Sequence, residues 1–357
     1  MRILELSFKL LTLFGCWRPE SWTSLHKRIL YYVYSSIMIL ILYTFMLSQL
    51  MDIILIVDNA DDFTDNVFVF VPIVITCIKI LLINILMKKP CKPLESTEMK
   101  IFHKFDTSVQ INTQRYTCLA LLTCVFIVLT SLSANFKQRK LTYRAWLPFD
   151  YSSTTLFFLM YIHQIISLVA AGLLNIACDT LICGLLVHIC CQLEILAYRL
   201  KKIIFYTDIL RDCILQHYYI FKLAILINVK FRLTMTIQFT MSMFVVCFTL
   251  YQLNNTTTKA KYIEMIMYMI CMLTQIFIYC WCGNEVKLKS RQLIDDIFEM
   301  EWLTLDESMK KSLIIIMKRA VTPIQITSGY IFPMNLESFM SLLKTSYSTY
   351  NLLQQMK

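Results

Sequence analysis

Residues 29–51 form a run of 23 residues without a single charged side chain. About 20 consecutive apolar residues are enough for a helix to cross the hydrocarbon core of a bilayer. A single segment that crosses lipid must be helical, because only a helix satisfies its backbone hydrogen bonds within itself. The chain as a whole is 57% hydrophobic, with a mean hydropathy of +0.60 and five glycines in 357 residues. These features predict an all-α polytopic membrane protein.

Six further stretches resemble this first one in length, and they raise the predicted number of membrane spans to seven. The fourth apolar stretch is longer than a bilayer requires and acquires His188, Gln192, Glu194 and Arg199 in its second half, so it should continue as a helix into the cytoplasm. The fifth should begin as a cytoplasmic helix at 209–232. The predicted spans are 29–51, 67–87, 116–136, the first half of 154–200, 233–253, 262–282 and 329–355.

The distribution of charges predicts the orientation of these spans. No Lys or Arg lies between Arg28 and Lys79, whereas 88–115 is rich in cations; cytoplasmic connections carry the excess of Lys and Arg. The N-terminus is therefore expected inside and the C-terminus outside. Lys79 should reach the inner face by snorkelling. Asn254 and Asn255 both fit the N-glycosylation pattern, which also places their loop outside.

The connection after Phe136 opposes this charge rule, because it is expected outside and yet basic. Its cations could hold acidic lipid or the acidic first loop, and the sequence leaves both open. The cations are Lys137, Arg139, Lys140 and Arg144, and the acidic residues of the first loop are Asp52, Asp58, Asp61, Asp62 and Asp65.

The N-terminal segment 1–28 predicts a cytoplasmic leader. An amphipathic helix over 3–14, ended by Gly15 and Pro19, is expected to lie on the membrane surface. The remaining organisation divides into helices one to four with a ligand pocket (29–200), helices five and six with cytoplasmic anchor segments (201–330), and a terminal helix (331–357).

The terminal stretch carries a polar stripe at alternating steps of three and four residues, which is one face of a helix. The stripe could line a water-filled path. It could equally let helices approach closely in a membrane bundle, as small polar residues do. Its members are Ser338, Ser341, Thr345, Ser348, Leu352 and Gln355.

An enzymatic function has little support, and neither a cofactor nor a metal is expected. The five histidines are scattered, and no paired carboxylates or nucleophile motif occur. Most of the cysteines lie in apolar helices, where a thiol is a small apolar filler. Binding of nucleic acid is not expected, since the cations lie in the connections between spans. Asp179 lies deep in an apolar helix, where an anchoring hydrogen bond or salt bridge is expected.

Several motifs, in order from residue 15 to the C-terminus, resemble the insect odorant receptors. Residues 15–19 (GCWRP) resemble the family's leader with Arg18 inserted, and Asp179 with His188, Gln192 and Leu196 resembles the inner end of its fourth helix. Residues 295–298 (DDIF) depart from the family pattern. The other matching positions are Gln275, Ile276, Phe277, Tyr279, Cys280, Gly283, Ser290, Trp302, residues 323–326, Phe332, Phe339, residues 343–348, Leu352 and Leu353.

The resemblance implies a ligand-gated, non-selective cation channel that forms a heterotetramer with the odorant-receptor co-receptor in the plasma membrane of olfactory sensory neurons. It implies that four terminal helices surround the pore, with Leu352 at the hydrophobic gate and Gln355 just beyond it. Ser341, Thr345 and Ser348 would complete the pore wall. It also implies a pocket for a volatile, mostly apolar ligand in the outer half of the bundle, between helices two, three, four and six. The candidate lining residues are Phe70, Ile73, Val74, Val128, Leu132, Ser133, Phe158, Ile162, His163, Tyr268, Met269 and Met272.

Two other receptor classes remain as alternatives. A gustatory-type receptor channel shares the terminal architecture, and residues 347–348 and the leader favour the odorant branch over it. A seven-helix receptor coupled to a G protein would have the opposite orientation, against which the two glycosylation motifs argue.

Overall fold

The chain folds into long helices that coincide with the predicted spans. The computed structural model describes residues 4–19, 21–57, 60–83, 95–134, 136–203, 209–255, 259–329 and 332–355. Within these ranges the α-helices are α1 (Glu5–Leu13), α2 (Leu25–Leu55), α3 (Ala60–Ile83), α4 (Ser96–Ala134), α5 (Thr154–Lys202), α6 (Ile209–Asn255), α7 (Lys259–Phe298), α8 (Glu307–Ala320) and α9 (Leu336–Gln355). Short 3-10 turns lie at Phe136–Gln138 and Trp302–Thr304, and two antiparallel strands, β1 (Thr327–Ser328) and β2 (Phe332–Pro333), precede α9.

Five of these helices, α2, α4, α5, α6 and α7, are long and apolar enough to cross a membrane. The second predicted span corresponds to α3, whose described residues include a shorter apolar stretch, Val69–Lys79. The seventh corresponds to α9, where the Ser and Thr residues lower the hydropathy. A helix whose polar side is shielded by other protein can span with such a composition.

The helix α5 is the centre of the bundle. It packs against α1, α2, α3, α4, α6 and α7, and nearly all of its side chains between Ala170 and Leu196 are buried. A helix that is apolar on all sides is stable only when it is surrounded, which explains why α5 shows no polar face over 49 residues. The expectation that the fourth and fifth helices extend beyond the bilayer is confirmed by the continuous helices α5 and α6.

The N-terminal helix differs from its prediction. Instead of only lying on the membrane surface, α1 packs against α5, with Leu4 and Leu11 each 1% exposed. Ser7 and Thr180 share a hydrogen bond of 2.9 Å. The notch that receives Leu4 exists because residue 184 is glycine: a Cβ there would lie 2.3 Å from Cδ2 of Leu4.

The described part of the basic connection before the third span is helical. From Ser96 onward it is continuous with the span in α4. Arg199 of α5 explains this extension, because its guanidinium forms a bidentate ion pair with Glu98 at 2.6 and 2.8 Å. A bidentate pair of this kind fixes orientation as well as distance.

The end of the bundle where α5 finishes, α6 begins and α7 finishes, called the anchor below, carries polar contacts at its edge. Gln216 of α6 accepts a hydrogen bond from Arg199 at 2.9 Å and donates one to Gln192 at 3.1 Å. Lys201 and Lys289 join α5 to α7 through Asp296 at 2.8 Å and Glu194 at 3.1 Å.

Two buried histidines lie in this anchor. Burial lowers the pKa of His188 to about 4. Burial and the nearby positive charge of Arg319 lower the pKa of His217 to about 4.

The segment before α9 forms hydrogen bonds with α6 and α7. The backbone amide of Ile324 donates to Ser290 at 2.9 Å, and that of Thr327 donates to Asn228 at 3.0 Å. Gly329 adopts a φ of +67°, which a glycine tolerates, where the chain turns from β1 toward β2. Asn335 then caps α9 by accepting from the amide of Ser338 at 2.8 Å.

Candidate ligand pocket and pore helix

A buried polar network lies in the middle of the bundle. Asp179 of α5 forms an ion pair with Lys79 of α3 and also accepts hydrogen bonds from Tyr279, at 2.7 Å, and Gln275 of α7. The expected anchoring role of Asp179 is therefore supported. The snorkelling predicted for Lys79 is wrong, because its side chain is 1% exposed and points inward.

The ammonium group of Lys79 has two further hydrogen-bond partners. It donates to Asn175 at 2.7 Å and to Gln238 of α6 at 3.0 Å. A buried charge is tolerated when its hydrogen bonds are satisfied in this way. The network thus ties α3, α5, α6 and α7 together at one level.

The predicted pocket residues fall into three groups by exposure. Ile73 and Met272 are buried, at 2% and 7% exposure. Six are partly buried: Phe70, Val74, Val128, His163, Tyr268 and Met269. Four are exposed, so their side chains lie mostly outside the packed interior: Leu132, Ser133, Phe158 and Ile162.

The two predicted polar contacts of the pocket face other directions. Ser133 donates to the carbonyl of Thr130 on its own helix at 2.9 Å. His163 lies beside α2, with Nε2 3.0 Å from the hydroxyl of Thr44 and its ring against Phe45.

The hydroxyls that do face the interior are two residues earlier on each helix. Ser131 and Tyr161 share a hydrogen bond of 2.8 Å between α4 and α5. Two residues correspond to about 200° around a helix, so Ser131 and Tyr161 lie on nearly the opposite helix faces from Ser133 and His163. Thr130 also reaches α7, donating to Glu264 at 3.2 Å.

The basic loop after α4 is held by hydrogen bonds over the C-terminal end of α2 and the N-terminal part of α5. Gln49 of α2 donates to the carbonyl of Arg144 at 2.7 Å, and Gln164 of α5 exchanges two hydrogen bonds with the backbone of Tyr143. The guanidinium of Arg144 lies 3.8 Å from the carboxylate of the buried Asp52. Of the two partners left open for this loop, the acidic end of α2 is therefore one that it contacts.

The terminal helix packs on α6 and α7 with one face only. Leu342 lies against Ile276 and Cys280, and Phe339 makes an edge-to-face contact with Phe277 at 5.5 Å. The predicted pore residues on the remaining surface are all exposed: Ser341, Thr345, Ser348, Leu352 and Gln355. From Ser341 onward the stripe is therefore not used for packing within the described part of the chain.

Gly283 permits a close approach between α7 and the backbone that leads into α9. A Cβ at this position would lie 2.3 Å from the carbonyl oxygen of Met334. The side chain of Met334 is itself 2% exposed. The backbone entering α9 thus rests directly on α7.

A groove of about 370 Å³ opens between α4, α5 and α7. It is lined mainly by apolar side chains, and none of the predicted pocket residues lines it. Among the described residues no three His, Cys, Asp or Glu side chains are grouped as metal ligands would be. The glycosylation candidates Asn254 and Asn255 end α6, and their side chains lie outside the described part of the structure.

Comparison with known proteins shows which family this chain matches and which solved structure has a similar fold. Residues 59–347 match the family model described as 7tm Odorant receptor. The solved structure of the insect olfactory receptor OR5 from Machilis hrabei in complex with eugenol is similar, with a TM-score of 0.87 at 17% identity, over 99% of this chain and 98% of that chain. The likeness shows the fold, and the predicted all-α, seven-transmembrane architecture is confirmed.

Curated relatives agree with the family model. Odorant receptor 10 of Aedes albopictus is 38% identical over 109 residues, which are 30% of this chain and 29% of that protein. Odorant receptor Or1 of Anopheles gambiae is 23% identical over 273 residues, 67% of this chain and 65% of that protein. The chain thus covers less than two thirds of the length of either relative. On the family match and the shared fold, this multi-pass membrane protein belongs to the insect odorant receptor family.

Proposed function

We propose that the chain is an odorant receptor subunit that binds a volatile, mostly apolar ligand and gates a non-selective cation channel in a heterotetramer with the co-receptor. The observation that carries this proposal is the exposed stripe of α9, from Ser341 to Gln355. A polar face that its own subunit leaves free is suited to line a shared aqueous path. Leu352, 61% exposed, supplies the apolar ring that would close by dewetting.

The ligand pocket is proposed in the outer half of the bundle. Its best-supported wall combines the buried Ile73 and Met272 with the partly buried Phe70, Val74, Val128, Tyr268 and Met269. Methionines and aromatic rings adapt to varied apolar shapes, and apolar contact supplies the affinity for a volatile ligand. His163 remains a candidate from the α2 side.

The packing of α7 suggests how binding reaches the pore. Met272 on α7 belongs to the proposed pocket, while Phe277 and Gly283 of the same helix contact Phe339 and Met334 at α9. A ligand that binds better to one position of α7 shifts the population toward that position. Because closely packed interfaces move as rigid units rather than deforming, α9 would follow α7.

The orientation and location are also proposals. A cytoplasmic N-terminus and an extracellular C-terminus agree with the basic inner connections. The contact between Arg144 and Asp52 supports an outer position for the basic loop, since it balances local charge. The plasma membrane of olfactory sensory neurons is the expected location.

Whole-cell current tests the proposed function. The full chain is expressed with and without an insect odorant-receptor co-receptor, and a panel of volatile compounds is applied. A fast cation current that requires the co-receptor and survives block of G proteins is the expected result. Silence with both subunits at the cell surface would contradict the channel proposal, and a response abolished by blocking G proteins would favour a coupled receptor.

A further inference from the structure

The groove between α4, α5 and α7 lies where the membrane-spanning part of α4 begins. Tyr116 starts an uncharged stretch that continues through the helix, and Arg115 immediately precedes it. On α7, Trp281 of the groove lies at the inner end of the predicted span, a depth at which tryptophan is favoured. The groove therefore spans the boundary between hydrocarbon and headgroups.

The polar end of the groove carries the positive charge of Arg115. Arg115 is exposed, and no carboxylate among the described residues forms an ion pair with it. No acidic residue lines the groove. Asn112, one helical turn earlier on the same face, adds an amide beside the guanidinium.

The rest of the groove is mainly apolar. Phe277, Ile278 and Trp281 supply one apolar wall. On the opposite side, Gly184 lines the groove and also forms the notch that Leu4 of α1 fills. The exposed Arg115 and Phe277 mark the open side.

We propose that this groove binds an anionic phospholipid, with its headgroup at Arg115 and Asn112 and an acyl chain along Phe277 and Trp281. Basic pockets between transmembrane helices recognise anionic headgroups, and the cytoplasmic leaflet is the one rich in them. A free anion would not use the apolar wall, and an uncharged ligand would not use the cation. Assignment to the cytoplasmic leaflet follows from the proposed orientation, whereas the site itself is independent of ligand gating.

Trp281 gives a readout inside the groove. The purified full chain is placed in nanodiscs of phosphatidylcholine containing brominated phosphatidylserine or, at the same mole fraction, brominated phosphatidylcholine. Bromine quenches nearby tryptophan, and subtracting the signal of Trp281→Phe isolates this residue from the other four tryptophans. We expect stronger quenching by the brominated phosphatidylserine.

Three variants decide the assignment. Arg115→Gln should reduce the preference for phosphatidylserine about five-fold, the effect of one cation near a membrane surface. Lys104→Gln, which removes an exposed cation of the same helix outside the groove, should leave the preference unchanged. Thr274→Phe fills the groove while keeping Arg115 and should reduce quenching by both lipids.

Two outcomes would overturn the proposal. Equal quenching by the two brominated lipids in the unsubstituted chain would mean that the groove does not recognise charge. An equal loss in Lys104→Gln and Arg115→Gln would assign the preference to the general surface charge rather than to the groove.

Discussion

Lys79 and Asp179 are 100 residues apart in the sequence and form an ion pair inside the bundle, with side chains only 1% and 3% exposed. Removing one partner of such a pair leaves a buried charge without compensation, which costs far more than the pair contributes. Lys79→Met should therefore lower stability by about 3–5 kcal/mol. The measurement is the melting temperature of the solubilised protein, together with its amount at the cell surface.

The double variant Lys79→Met with Asp179→Leu provides the control for this prediction. It removes both charges, so we expect a smaller loss than in Lys79→Met alone. A double variant at least as unstable as the single one would mean that the charges are not coupled.

Gly283→Ala should destabilise the junction between α7 and α9. The added Cβ would meet the carbonyl oxygen of Met334 at 2.3 Å, and overpacking of this kind costs about 1–3 kcal/mol. Gly172→Ala in α5 is the matched control, since its Cβ would meet only Cys124 at 3.5 Å. Thermal melting of both variants tests this, and equal effects would contradict the close contact.

Met272→Ala should weaken the response to ligand about tenfold, measured as the half-maximal concentration in current recordings. The reason is the loss of about 1.4 kcal/mol of apolar contact at a side chain that is 7% exposed. Phe158→Ala removes a larger side chain that is 50% exposed and should change the value little. A larger effect of Phe158→Ala than of Met272→Ala would indicate that the ligand binds at the outer face of α5.

Leu352→Ala should increase the current that flows without ligand. Shortening an apolar ring lets water and ions pass a constriction that closes by dewetting. Tyr347 on the same helix has the same 61% exposure and lies off the stripe, so Tyr347→Ala should leave this basal current unchanged. Basal current is compared at equal surface expression, and an equal rise in both variants would argue against a specific gate.

Acidification should destabilise the anchor through His188. Its pKa is lowered from 6.5 to about 4 by burial, so below pH 6.5 the unfolded chain takes up a proton that the folded protein does not. Stability is therefore unaffected above pH 6.5 and falls as the pH decreases toward 4, by about 2 kcal/mol at pH 5.

Melting temperatures at pH 7 and pH 5 measure this effect. His188→Gln should show a smaller decrease between the two values than the unsubstituted chain. His103→Gln removes an exposed histidine and should not change the decrease. A decrease of the same size in all three proteins would exclude His188 as its source.

The number, order and length of the helices could be predicted from the sequence because lipid imposes the same requirement on every span. The extension of α5 and α6 beyond the length of a span could be predicted for this reason. The partner of Asp179 could not be predicted from the sequence, because Lys79 lies close enough to the end of its apolar stretch to suggest snorkelling. Only the packing of α3 against α5 brings the two side chains together.

The faces of the pocket helices were harder to predict than the helices themselves. Ser133 and Ser131 are both polar residues in the last turn of an apolar span, and the choice between them depends on the rotation of α4 about its axis. That rotation is set by contacts with α5, such as the hydrogen bond to Tyr161. The sequence of α5 does not show which of its sides meets α4, because α5 is apolar on every side.

The contacts of α7 have a consequence for how the ligand preference of such a receptor can diverge over evolution. Gln275 and Tyr279 hold Asp179, and Gly283 lies against Met334. We therefore expect substitutions along this helix to alter folding and the proposed channel opening together. Val128 on α4 lies away from those contacts in the sequence and on another helix. We therefore expect mutations at Val128 to change which compounds are detected with less effect on channel opening than mutations on α7.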